Sequence, residues 1–207
     1  EQEHGIPHPR LAGKTLAMIF EKPSTRTRVS FEVGMYHLGG LALFLDADDL
    51  QLGHGEPIQD TARALSRFVD GIVVRAHSQS DIETLARYAS VPVINGLSDQ
   101  AHPCQALADL MTIREMKGAL AGLKLCFVGD GNNVARSLVV GCLQMGISVS
   151  MACPKGYEPC GDLLAFAEKT GAFTYTHDRF EAAKDADILY TDVWSSMGQE
   201  QQAAARR

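Results

Sequence analysis

The sequence predicts an α/β protein of two domains, each a parallel sheet flanked by helices. Three observations carry this. Apolar runs of four to seven residues alternate with amphipathic stretches, as buried strands and covering helices do. In 207 residues, a 45 % hydrophobic share is enough for proper cores. A long helical stretch, "HPCQALADLMTIREMKGALAGLK", ends in a Gly-rich turn with four strand candidates on either side, which places a domain junction near residues 114 to 122. The domains are therefore expected at 1–115 and 116–207.

Taken in order, the first strand is "TLAMIF", followed by "EKPSTRTRVSFEVG". There Ser24 or Thr25 can cap a helix whose Val29, Val33 and Tyr36 line one side and Phe31, Met35 and Leu38 another, so that helix is expected to be buried. Next come the strand "LALFL" and a helix after Pro57 in which Ile58, Ala62, Leu65 and Val69 repeat. The strand "GIVVRA" leads to a capping box made by Ser80 and Glu83, then to the strand "VPVIN" and to a helix from about Pro103. In the second half, "KLCFVGD", "SVSMACP", "AFTYTH" and "DILYTDV" are strands, with Gly146 and Gly171 closing the helices between them.

A formal net charge of −6 and the lack of a long basic run exclude a nucleic-acid footprint. No run approaches the ~18 apolar residues of a membrane span. The five cysteines contain no C-x-x-C pair, which fits a reduced, cytoplasmic setting. No metal set is in register, no G-x-S-x-G elbow occurs, and no cofactor is expected.

Arg26 and Arg28 sit where a helix dipole is already positive, so an anion is expected there, and two arginines beside a cap favour a phosphate. The plainer alternative is a cap with surface arginines. Arg75 ends a strand with no acidic neighbour, and His102 and Gln105 of "HPCQ" open a helix after a strand on the same edge. A lone His is more often structural; three successive strand-ends carrying Arg, His and hydroxyls describe a polar pocket. "VGDGNNVARS" imitates a dinucleotide fingerprint, but Val134 replaces the third glycine and "SVSMACP" ends without the ribose-binding acid. Asn132 and Asn133 instead offer amides suited to a carboxylate. Asp192, at the end of the last strand, could cap the next segment or hold an ammonium group; with Asn133 it suggests an amino acid.

"STRTR", "HPCQ", "GDGNN" and "DVWSSMG", in this order and spacing, resemble the aspartate/ornithine carbamoyltransferase family over essentially the whole chain. "STRTR" and "HPxQ" are shared across the family, whereas "DxxxSMG" is similar to the pattern of members that act on ornithine. The resemblance implies transfer of a carbamoyl group from carbamoyl phosphate to the δ-amine of L-ornithine, giving L-citrulline and phosphate in arginine metabolism. It implies Ser24, Thr25, Arg26 and Thr27 as phosphate ligands, with Arg75 bridging phosphate and carbonyl oxygen. His102 and Thr27 would bond the carbonyl oxygen, and Gln105 the carbamoyl amide. Gln51 would reach a neighbouring subunit's site in a homotrimer. Asn133, Asp192, Ser196 and Met197 would hold the α-amino and α-carboxylate groups of ornithine. The family's Cys-containing "HCLP" segment, a later Arg and the usual first helix have no counterpart, so a fragment truncated at both ends is expected. Putrescine or aspartate as acceptor, and a module that binds carbamoyl phosphate without turnover, are the competing readings.

Overall fold

In the computed structural model, which describes residues 6–46, 50 and 55–193, eight strands and seven helices alternate. The chain divides into two compact units between Gln100 and Ala101.

The first unit holds β1 (Thr15–Phe20), α1 (Thr25–His37), β2 (Leu41–Asp46), α2 (Ile58–Leu65), β3 (Gly71–Arg75), α3 (Gln79–Tyr88) and β4 (Val93–Leu97). Its sheet is parallel throughout, in the order β2-β1-β3-β4. Because the chain steps one way from β1 to β2 and then back across β1 to β3, right-handed crossovers put α1 on one face and α2 and α3 on the other. Packing agrees: Leu16, Met18, Phe20 and Val73 meet Met35 and Phe31 of α1. Ala17, Ile19, Ile72 and Val74 meet Ala62 of α2 and Ile82 and Leu85 of α3. Strands covered on both faces lose their alternation, which is why β1 and β3 read as unbroken apolar runs.

Three details differ from expectation. The helix α1 buries only the Met35 side, leaving Val29, Val33 and Tyr36 at 48 %, 42 % and 78 % exposure, because one stripe is all the sheet covers. The cap of α3 is Ser78, whose Oγ accepts from Ser80 N at 3.2 Å, so Ser80 lies inside the first turn. The helix α2 ends at Leu65, and the buried Val69 belongs to the turn after it.

The second unit holds α4 (Pro103–Lys117), β5 (Lys124–Val128), α5 (Asn133–Gln144), β6 (Ser148–Ala152), α6 (Gly161–Glu168), β7 (Phe173–Thr176), α7 (Arg179–Ala183) and β8 (Ile188–Thr191). Its parallel sheet runs β7-β6-β5-β8. By the same handedness argument α5 and α6 share one face, where Leu138, Val139, Cys142 and Leu163 pack on Leu125, Phe127 and Met151. The opposite face carries α7 through Ala182 on Cys126 and Ala152. Leu110 and Ile113 join α4 to the α5 face. The division between Gln100 and Ala101 falls before α4, earlier than the expected junction near residues 114 to 122, because Leu110 and Ile113 pack α4 with the second unit; Gly118 closes α4 at φ 79°.

The two sheets are pinned alike, although no sequence repeat relates them. Before β3, Asp70 accepts from Thr15 N at 2.9 Å and from Lys14 Nζ at 2.8 Å, aligning the starts of β1 and β3. Before β8, Asp187 accepts from Lys124 N at 2.9 Å, aligning the starts of β5 and β8.

Candidate functional site

Each sheet has a switch point where neighbouring strands send their helices to opposite faces, and the crevice outside the carboxyl ends of those strands is where such folds take ligands. In the first unit this lies between β1 and β3. The segment leaving β1 is "EKPSTR", and the last residue of β3 is Arg75, paired in register with Phe20.

Ser24 is extended (φ −158°, ψ 106°) and caps α1: its Oγ accepts from Thr27 N at 3.3 Å and donates to Thr27 Oγ1 at 3.0 Å. No acidic residue occupies the first turn of α1, so its positive end is not neutralised from within. Thr25 and Arg26 are exposed beside it. Arg28, by contrast, is engaged elsewhere. Its Nε donates to Glu32 Oε1 at 3.0 Å, and its guanidinium lies 3.7 Å over the Phe44 ring.

Arg75 is only 6 % exposed, and among the described residues its Nε has no hydrogen-bond partner. Burial, and then the nearby Arg26 charge, pull its pKa below the usual guanidinium range. A buried cation facing a second cation, with no carboxylate paired to it among the described residues, is an expensive arrangement unless an anion completes it. Arg75, Arg26, the free N–H groups of α1 and the hydroxyls of Ser24, Thr25 and Thr27 are therefore groups able to hold a compact, oxygen-rich anion such as a phosphate.

In the second unit the switch point lies between β5 and β8. Asn132 caps α5, its Oδ1 accepting from Val134 N at 3.0 Å and Ala135 N at 3.1 Å. Its Nδ2 donates to Asp192 Oδ2 at 2.9 Å, and Val193 N donates to Asp192 Oδ1 at 2.8 Å. Asn132 is thus engaged at both ends of its carboxamide, its Nδ2 keeping one further N–H. Asn133 is the first residue of α5, beside it. Asp192 has both oxygens engaged once, and a carboxylate has about four acceptor sites, so it keeps capacity for an ammonium group. Gly131 has a packing reason for being glycine: a Cβ there would lie 2.5 Å from Pro159 N and 2.7 Å from Glu158 C. The Gly-rich look of "GDGNN" comes from this close backbone approach, not from a cradle for a dinucleotide.

His102 is the N-cap of α4, with Pro103 at the first turn, and its backbone N donates to Ser137 Oγ at 2.8 Å. Gln105 lies in that first turn, its Nε2 donating to Asp109 Oδ1 at 2.9 Å. Both belong to the second compact unit, whereas Ser24, Thr25, Arg26, Thr27 and Arg75 belong to the first. Gln51, Ser196 and Met197 lie outside the described residues. Sequence reading missed Asp109, Ser137 and Tyr190, single polar residues within helices and a strand that carry no motif of their own. Among the described residues no cluster of three or more His, Cys, Asp or Glu side chains is placed to hold a metal ion.

Residues 1–115 match the model of the aspartate/ornithine carbamoyltransferase carbamoyl-P binding domain, and residues 121–207 that of the Asp/Orn binding domain. The chain is 60 % identical to an ornithine carbamoyltransferase of Thermococcus kodakarensis, over 98 % of its own length and 66 % of the relative's. A Pyrococcus furiosus relative described as ornithine carbamoyltransferase, anabolic, is 59 % identical over 100 % of this chain and 67 % of its own. The solved ornithine carbamoyltransferase from Pyrococcus furiosus superposes with a TM-score of 0.93 at 59 % identity, covering 100 % of this chain and 67 % of that one. The Thermus thermophilus structure gives 0.87 at 47 % identity, with 100 % and 70 % covered. The chain thus spans about two thirds of the length of these relatives.

Proposed function

Since the chain belongs to the aspartate/ornithine carbamoyltransferase family, we propose that it transfers the carbamoyl group of carbamoyl phosphate to the δ-amine of L-ornithine, yielding L-citrulline and phosphate in arginine biosynthesis. The observation that carries the phosphate half is the buried Arg75, left with an unpartnered Nε beside Arg26. Residues 1–115 are the carbamoyl phosphate domain in this reading and residues 116–207 the ornithine domain.

Ser24, Thr25, Arg26 and Thr27 grip the phosphate, and Arg75 spans phosphate and carbonyl oxygen. His102 and Thr27 donate to the carbonyl oxygen, and Gln105 meets the carbamoyl amide. Asn133, Asp192, Ser196 and Met197 hold the α-carboxylate and α-ammonium of ornithine. The neutral δ-amine attacks the carbonyl carbon; a C–N bond forms, the C–O bond to phosphate breaks, and the amine proton leaves on the departing phosphate. Negative charge grows on the carbonyl oxygen and the leaving phosphate, so fixed cationic donors stabilise the transition state more than the ground state. Excluding water from the bound carbamoyl phosphate prevents its hydrolysis.

In this reading the enzyme works as a cytoplasmic homotrimer, with Gln51 completing a neighbour's site. The exposed Val29, Val33 and Tyr36 stripe supports a subunit contact, and five free cysteines support a reducing compartment. No helix among the described residues is long and apolar enough to cross a membrane.

Calorimetry tests the two-substrate site. Carbamoyl phosphate should bind alone, and norvaline, which lacks the δ-amine, should bind only once it is present. Norvaline that never binds would leave a carbamoyl phosphate module without the amino-acid half.

A further inference from the structure

Asp109 stands one helical turn beyond Gln105 on α4, and its two carboxylate oxygens are shared between two donors. Oδ1 accepts from Gln105 Nε2 at 2.9 Å and Oδ2 from the Tyr190 hydroxyl at 3.0 Å. Tyr190 is itself held in place, its ring stacked on the buried Phe127 with centroids 5.7 Å apart and planes 20° apart. Burial, followed by the Asp109 charge, raises the phenol's pKa, so it remains a donor at neutral pH.

An ionised carboxylate can only accept, so the end of the Gln105 carboxamide that meets Asp109 must be its NH2. The other end, Oε1, is then committed as an acceptor. We infer that Asp109, itself steadied by Tyr190, is a positioning residue that locks Gln105 with Oε1 available to accept from the NH2 of a carbamoyl group. This rests on the carbamoyl phosphate reading above. It deepens that reading by saying how the site recognises an amide nitrogen as well as a phosphate: a Gln105 free to turn its own NH2 inward would set donor against donor. Tyr190 lies in β8, two residues before Asp192, so the device also ties the start of α4 to the strand end proposed to hold ornithine.

A double-mutant cycle tests it, using the protein with carbamoyl phosphate and with inorganic phosphate as calorimetric probes. Gln105→Ala and Asp109→Leu should each weaken carbamoyl phosphate by about tenfold, the size of one lost hydrogen bond, and leave inorganic phosphate unchanged. In the Gln105→Ala background, Asp109→Leu should have no further effect. Tyr190→Phe keeps the ring packing and should give a smaller loss that also vanishes in that background. Weakening that persists without Gln105, or equal weakening of both probes, would overturn the inference in favour of a purely structural role. If Asp109→Leu does not fold, the same cycle with Tyr190→Phe decides. Normal carbamoyl phosphate affinity in Gln105→Ala would instead remove Gln105 from the site, overturning the reading beneath this one.

Discussion

Replacing Arg75 by Met lowers turnover by a factor of about 10²–10³, the usual effect of removing one donor to a developing oxyanion, and leaves stability unchanged or raised. The two halves of this expectation come from the same fact. Arg75 is buried, its Nε is unpartnered among the described residues, and Arg26 repels it, so in the empty protein its charge is a burden. An apolar side chain of similar length removes the desolvation cost, as replacement of buried charges by packed apolar residues often does. In the proposed reaction the same guanidinium would meet phosphate and carbonyl oxygen, and its loss would be felt mainly in the transition state. Thermal unfolding and steady-state kinetics on one preparation check both halves. A large drop in melting temperature, or near-normal turnover, would show that the Arg75 charge is satisfied within the protein and has no catalytic part.

Asp192→Asn should raise KM for ornithine by about 10- to 100-fold, the cost of losing a charge-assisted bond to an ammonium group, while the affinity for carbamoyl phosphate stays as it was. The substitution is mild for the fold. An Asn at this position can still accept from Asn132 Nδ2 through its carbonyl oxygen, so the cap of α5 keeps its support, and only the bond donated by Val193 N to the other oxygen is given up. Unchanged KM for ornithine would move the ammonium contact elsewhere; a matching loss of carbamoyl phosphate affinity would point to a general disturbance instead.

The eight strands and their parallel sense were legible in the sequence because strands covered on both faces are apolar through their centres, as β1, β3 and β5 show. The candidate anion-binding residues stood out for a local reason, since Ser24, Arg26 and Thr27 fall within one helical turn and Arg75 ends a strand. The hidden features are those set by tertiary contacts. Whether the Val29 and Tyr36 side of α1 is covered depends on what packs there, which helical periodicity does not report. Ser78 and Ser80 are chemically alike as caps, and only the chain's path selects Ser78. Asn132 and Asn133 differ by one position, yet the first is consumed by the α5 cap and Asp192. Asp109 and Tyr190, 81 residues apart, become partners only through folding.

The most direct test of the whole account offers the protein carbamoyl phosphate together with equal amounts of L-ornithine, putrescine and L-aspartate, and identifies the carbamoylated product by mass spectrometry. Citrulline as the dominant product is the predicted result. N-carbamoylputrescine or carbamoyl-aspartate as the dominant product would contradict the assignment of Asp192 and Asn133 to an amino acid with a side-chain amine, and no product at all would contradict the transfer reaction itself.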